Sequence, residues 1–517
     1  MDATAPLADA RRLLDWVWVG LAASAAALAL RMAGIGSRDV WLDEIYSQFA
    51  ISRDWPGLVY DRVSRGHSPF YFGLMKLAGI DPANIVALRI VSACLDAIAA
   101  GVLAGGMTRY FGLRAGLFVG LLYTFSPTHV YWAQEARPYG LLMMFTAMGL
   151  VGSIGLADTI GRGLDDGDLR IRGPHILFAI GWSGASFSLT GGILAFVVVA
   201  TMPWWPWLRR GYMIDPTFRS RWRRAGFAPW IVAFLTYMLV SRLHVVDQVG
   251  DYWLENYRPF GAESLWLLLR DLTFGHVAWA SDMLRAVHPE AGSVAAALVA
   301  FAMAALAIVA LRTWREAPSV LPIAGLGLGL GAVMLVASLN TSLLLDRYFT
   351  PVWMGCLALA GLGLTALRPL PAAAISAPIL LLQAHAGWIA ATTPTGPRDP
   401  DPRRVAEAID GMPERLAPVV TEPGGFFRTI RMELMLHRLN EPELPRPEMD
   451  SLSDPQALPD RLASGAPVFV VARRPAWEAS VAGHLGPAPC HLLAGDILVA
   501  AVAQPCTAPF GTGPAPW

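Results

Sequence analysis

The chain has 517 residues, of which 55% are hydrophobic and only 15% charged, with a mean hydropathy of +0.45 and a formal net charge of zero. A typical globular domain carries about 25% charged residues, so the polar surface that a soluble monomer needs is not available here. Balanced charge supplies no basic field for nucleic acid and no acidic tail, and the composition is that of a membrane protein.

A membrane span needs about 20 apolar residues. Apolar runs predict spans over 13–34, 85–107, 113–128, 137–157, 174–190, 191–208, 227–245, 291–311, 318–339, 345–366 and 371–392, eleven in all. The first run is read as a span rather than a cleaved signal, because it is long and ends in Arg31 without a small-residue cleavage site. Arginines then set the orientation. Arg11 and Arg12 precede the first run, Arg109 and Arg114 flank the turn after the second, and Arg312 and Arg315 follow the eighth. The 209–224 loop holds Arg209, Arg210, Arg219, Arg221, Arg223 and Arg224 against a single acid, Asp215. Eleven crossings put all of these on one side, so the N-terminus is expected in the cytoplasm of a cell whose inner membrane the chain crosses, with the tail outside, in the periplasm.

The expected fold class is therefore a polytopic α-helical membrane protein with a small C-terminal α/β domain. The membrane domain covers 1–395, and the outer domain 396–517. The first outer loop, 36–84, contains amphipathic stretches at Leu42–Ile51 and Phe70–Leu77, suited to lying along a membrane surface. The tail alternates helical patterns (Arg403–Ile409, Phe427–Leu439) with short apolar strands at Ala417–Thr421, Pro467–Ala472 and Asp496–Ala503.

Three segments carry candidate chemistry. Val40-Trp41-Leu42-Asp43-Glu44-Ile45-Tyr46 sets two adjacent acids in an apolar, aromatic run at a membrane surface. Such acids either favour the dipole at the start of an interfacial helix or, when desolvated, serve as a general base. Tyr131-Trp132-Ala133-Gln134-Glu135-Ala136-Arg137-Pro138-Tyr139 joins the third and fourth runs, with Pro138 suited to a first helical turn. Leu345-Asp346-Arg347-Tyr348-Phe349 opens the tenth. By parity Arg137 and Arg347 lie on the outer side, where the positive-inside rule leaves them unexplained. Acids and arginines converging on one membrane face suit a phosphate-bearing lipid and a hydroxyl acceptor. Arg89 and Asp96, two turns apart in the second run, are expected to pair within the bundle or to snorkel, and Arg242 and His244 are further candidates for phosphate contacts.

These segments, with Gly66-His67-Ser68-Pro69-Phe70-Tyr71 between them, resemble the GT-C superfamily of membrane glycosyltransferases, the group of lipid A aminoarabinose transferases, protein O-mannosyltransferases and core galacturonosyltransferases. Each motif is short; their order and spacing make the set specific, and the likeness covers nearly the whole chain. Ser68 departs from the pattern, since many relatives carry a second proline there. The resemblance implies inverting transfer from a polyprenyl-phosphate sugar to a hydroxyl of a glycan, lipid or protein, next to membrane lipids and without nucleic acid. It implies Asp43 as the catalytic acid-base residue with Glu44 beside it, Arg137 and Arg347 on the donor phosphate, and His67, Glu135 and Tyr139 as substrate contacts. No cofactor is expected, and no metal, because arginines can neutralise a phosphate leaving group and the histidines show no ligand spacing. The competing reading is a transporter or flippase of a lipid-linked or anionic substrate, which usually shows repeated halves and interrupted helices near the midplane. No internal repeat is visible in the sequence.

Of four cysteines, Cys94 and Cys356 fall in apolar runs and read as small buried hydrophobes. Cys490 and Cys506 fall in the tail, around two apolar arms with a Gly-Asp turn between them. A Cys490–Cys506 disulfide is expected, worth on the order of 3 kcal/mol in the chain-entropy picture.

Overall fold

A computed structural model describes residues 5–38, 40, 42–65, 67–166, 172–187, 259–280, 291–339 and 343–392, with isolated positions between 216 and 238 and separate segments of the C-terminal part between 405 and 502. The chain divides into two compact units. One comprises Met1–Ser37, Trp55–Ile80 and Val86–Thr393; the other comprises Arg38–Asp54, Asp81–Ile85 and Pro394–Trp517.

The first unit is helical. Seven of its described helical stretches are long and apolar enough to cross a membrane: Leu14–Met32, Ile85–Phe111, Tyr139–Thr159, Val294–Thr313, Pro318–Ala337, Asp346–Ala366 and Pro369–Thr392. The protein is a multi-pass membrane protein. Two expected spans are shorter than predicted. The run 113–128 forms Leu113–Phe125 and then breaks at Ser126 before Pro127–Ala133, and the run 174–190 forms Arg172–Ala185. Those expected over 191–208 and 227–245, with Arg242 and His244, lie largely outside the described residues.

Small residues let the first two spans approach. A Cβ on Gly101 would stand 2.0 Å from Ser24 Oγ and 2.7 Å from the Gly20 carbonyl, and one on Gly105 would stand 2.9 Å from the Trp16 carbonyl. Gly101 and Gly105 thus act as a small-xxx-small contact, the usual basis of close packing between membrane helices. Arg31 and Asp96 then join the same two helices by an ion pair at 0% and 1% exposure. Asp96 also accepts from the Tyr123 hydroxyl at 2.7 Å, while Arg31 Nη1 donates to the Ala27 and Thr124 carbonyls, each at 3.2 Å. The expected Arg89–Asp96 pair does not form. Residues seven apart on one helix are about 10 Å apart along its axis. Arg89 instead donates to the Ile35 carbonyl at 3.1 Å, and Asp96 finds its cation on a neighbouring helix.

One helix, Ala262–Ala280, was not foreseen. It is interrupted at Gly275, whose φ of 71° lies in the left-handed region that glycine adopts without strain. The kink leaves upstream carbonyls without helical donors, and the Thr128 hydroxyl serves those of Asp271 and Leu272 at 2.7 and 2.9 Å.

In the second unit, five strands form one sheet. They are β1 (Val419–Thr421), β2 (Met449–Ser451), β3 (Val468–Arg473), β4 (His491–Leu492) and β5 (Ile497–Val502), in the order β2-β1-β3-β5-β4. β1 runs parallel to β2 and β3, with Val420 opposite Val470, and β5 runs antiparallel to β3 and β4, with Val470 opposite Ala500. Val419, Phe469 and Val471 pack with Val405, Ala406, Ile409 and Leu434 in its core. Three of these strands match the apolar runs expected from sequence, and β4–β5 supplies the expected hairpin. Cys490 and Cys506 lie outside the described residues.

Candidate functional site

Asp43 and Glu44 occupy the first turn of the helix Leu42–Ser52, in the second unit. The positive end of a helix dipole favours two carboxylates there. Glu44 is buried and Asp43 half-buried. His67, Glu135, Arg137, Tyr139 and Arg347 belong to the helical unit.

The segment around Glu135 and Arg137 is held by the residue before it. The Gln134 side-chain amide donates to the carbonyls of Arg31 at 2.9 Å, Ala33 at 2.7 Å and Ala391 at 3.3 Å. The last carbonyls of an α-helix have no intrahelical donor. Arg31 and Ala391 sit at the ends of Ala5–Met32 and Pro369–Thr392, so one amide satisfies two helix termini and pins the turn to both. After it the chain tightens, with the Arg137 N–H on the Glu135 carbonyl at 2.7 Å. Pro138 then starts the next helix, its carbonyl accepting from Leu142 N–H at 2.9 Å. Glu135 and Arg137 are 2% and 4% exposed, a burial that charged groups tolerate only in prepared surroundings.

Two further anchors connect this turn to its neighbours. Ser92 Oγ donates to the Arg137 carbonyl at 3.3 Å and lies 2.8 Å from the Tyr71 hydroxyl. Trp132 packs its ring 5.0 Å from that of Tyr139 and donates its indole N–H to Asp346 Oδ2 at 2.9 Å. Asp346 opens the helix Asp346–Ala366, which places Arg347 in the same first turn, its guanidinium 5.1 Å from the Tyr348 ring. A small open pocket is lined by His67, Ser68, Tyr71, Phe72, Pro138 and Leu141, among others, so that Pro138, the residue after Arg137, faces it. The structure thus gathers His67, Arg137 and Tyr139 around Tyr71, Phe72 and Trp132, and ties the turn before Arg347 to the same tryptophan. Ser68, the departure from the family pattern, accepts from the Phe70 N–H at 3.3 Å at the start of the helix Phe70–Leu77.

Sequence reasoning missed Arg62. It sits in the helix Trp55–Ser64, fully buried, with Nε and Nη2 both on Asp61 Oδ2. The other oxygen of Asp61 accepts from Arg65 at 3.2 Å. Burial pulls the Arg62 guanidinium down from its usual value to about 10; Asp61 opposes this, and the positive charges of Arg137 and Arg65 add to it. It remains a cation at neutral pH. An Asp-Arg doublet in a polar stretch reads as a solvated surface, so no pattern in the sequence marks its burial.

No protein-family model and no curated protein matches the chain by sequence. By structure, it is similar to ArnT from Cupriavidus metallidurans bound to undecaprenyl phosphate, with a TM-score of 0.52 at 15% identity over 97% of this chain and 98% of that one. The apo form of ArnT matches with a TM-score of 0.50, over 96% and 98% of the two chains at 15% identity. An Archaeoglobus fulgidus oligosaccharyltransferase, in complex with zinc and sulfate, matches with a TM-score of 0.50 at 11% identity, over 88% of this chain and 68% of that one. Over most of its length the chain thus shares the fold of these solved proteins.

Proposed function

We propose that the protein is an inverting glycosyltransferase that moves a sugar from a polyprenyl-phosphate donor to a hydroxyl acceptor at the outer face of the cytoplasmic membrane. The observation that carries this reading is the likeness to ArnT with undecaprenyl phosphate over 97% of this chain and 98% of that one. The arginine set supports it: Arg137 is buried and directly precedes Pro138, which lines an open pocket, and Arg347 lies one residue from an aspartate bonded to Trp132.

In this mechanism Asp43 accepts the proton of the acceptor hydroxyl as that oxygen attacks the anomeric carbon. The bond from that carbon to the lipid phosphate breaks, and the phosphate leaves with the electron pair. Arg137 and Arg347 neutralise the charge that develops on it, which is where preorganised cations contribute most. Glu44 shares the acidic turn with Asp43, while His67, Glu135 and Tyr139 contact substrate. The arginines do the work of charge neutralisation, so no metal is invoked. The acceptor is a glycan, lipid or protein hydroxyl, the N-terminus is cytoplasmic and the sheet unit is periplasmic.

The test supplies purified protein and acceptor-bearing membranes with a panel of labelled undecaprenyl-phosphate sugars. Transfer of one label to a product stable to mild acid, with release of undecaprenyl phosphate, is expected. Movement of intact lipid-linked sugar across vesicles without bond cleavage would favour the flippase reading instead.

A further inference from the structure

Arg62 is a fully buried cation of the first loop that this mechanism leaves unused. Its fork is only partly satisfied: Nε and Nη2 share one oxygen of Asp61, and Nη1 is buried with no hydrogen-bond partner among the described residues. Asp61 is itself divided, because its second oxygen serves Arg65. The contacts of Arg62 therefore hold one carboxylate between two guanidiniums, which leaves an excess positive charge that a further anion would balance.

A third guanidinium stands close. Arg62 lies 4.9 Å from the centroid of the Phe72 ring, and Arg137 lies 6.0 Å from the same centroid. Two like charges around one buried ring repel each other, and a phosphate relieves that repulsion while accepting hydrogen bonds from a planar fork. Phe72 lines the same pocket as His67 and Pro138. The Arg62 carbonyl also accepts the His67 N–H at 2.9 Å, so the loop carrying His67 is folded directly onto Arg62.

We propose that Arg62 is a second phosphate-binding arginine of the donor site, acting with Arg137 across the Phe72 ring on the phosphate of a polyprenyl phosphate. This rests on the reading of the site as one for lipid-linked phosphate. Asp61 then holds and aims the guanidinium rather than using up its charge.

The experiment measures binding of undecaprenyl phosphate to the full-length protein in detergent by native mass spectrometry, with undecaprenol and phosphatidylglycerol as competitors. The wild type is expected to prefer undecaprenyl phosphate to undecaprenol by at least about 10-fold, the scale of a charge-assisted hydrogen bond. Arg62→Gln should lose about 10-fold or more in affinity for undecaprenyl phosphate and none for undecaprenol, and Arg62→Lys should fall between. Asp61→Asn should lose affinity too, but less than Arg62→Gln, because it leaves the guanidinium charged while removing the carboxylate that aims it. If Arg62→Gln folds poorly, the Asp61→Asn/Arg62→Gln double variant, which leaves no lone buried charge, should show the same loss. Wild-type affinity in Arg62→Gln or in the double variant would overturn the proposal, as would equal losses in Asp61→Asn and Arg62→Gln, which mark a purely structural ion pair. Equal competition by phosphatidylglycerol would make this a general anionic-lipid site and overturn the donor assignment. A wild type without preference for phosphate over undecaprenol would sink the reading of the site itself, and that result is distinct from the Arg62 outcomes.

Discussion

The indole N–H of Trp132 bonds the carboxylate of Asp346 across 214 residues of sequence, at 2.9 Å and with both side chains buried. It connects the turn that carries Glu135 and Arg137 to the helix whose second residue is Arg347. Trp132→Phe keeps the ring but removes the donor, and should cost about 1–3 kcal/mol of stability. Because Arg347 then loses its anchor, the donor concentration needed for half-maximal rate should rise. An unchanged donor dependence in a folded Trp132→Phe would mean that Arg347 is positioned by other contacts.

Arg31 and Asp96 form an ion pair away from solvent, between the first two spans. Removing one partner leaves a lone buried charge and should cost about 3–5 kcal/mol, whereas replacing the pair with apolar residues of similar volume should cost much less. Denaturation of Arg31→Met, Asp96→Leu and the double variant in detergent checks this. Losses that simply add would show that the two residues do not interact.

Gly101→Leu should lower the melting temperature by an amount equal to about 1–3 kcal/mol, because its Cβ position already stands 2.0 Å from Ser24 Oγ. Pairing it with Ser24→Gly should recover part of the loss. Full stability in the single variant would rule out the close Gly20–Gly101 packing.

Arg137→Lys retains the charge but not the planar fork, so it should weaken donor use by about 10-fold while the protein stays folded. Arg347→Lys should act in the same direction. Donor titrations of the transfer rate provide the measurement, and unaltered half-saturation in both variants would put the phosphate elsewhere.

Much of this architecture is legible in the sequence where a single physical signal dominates. Long apolar runs marked the spans, and the amphipathic Phe70–Leu77 appears as a helix with those bounds. Short β-branched runs marked β1, β3 and β5, since nothing in them competes with extended structure. The helix Ala262–Ala280 escaped notice because Arg270 and Asp271 interrupt its apolar pattern, and pairing between them hides that charge only after folding. Asp96 was assigned the wrong cation because spacing along one helix says nothing about which neighbour that helix meets. Arg62 was passed over for a related reason: a doublet of opposite charges looks self-sufficient in sequence, and its burial depends on the packing of Phe72 and the loop to His67. The candidate motifs were visible because their residue types are unusual for their setting, but the Gln134 bonds that hold one of them depend on two distant helix ends.

The central claim is that the acidic turn at Asp43 supplies the base for sugar transfer, and the direct measurement is transfer of labelled sugar by Asp43→Asn beside wild type at matched protein level. The account predicts a fall of at least about 10²-fold in rate, the usual scale for a lost acid–base group, with undecaprenyl phosphate still bound as in wild type. Near-normal turnover by Asp43→Asn would contradict it.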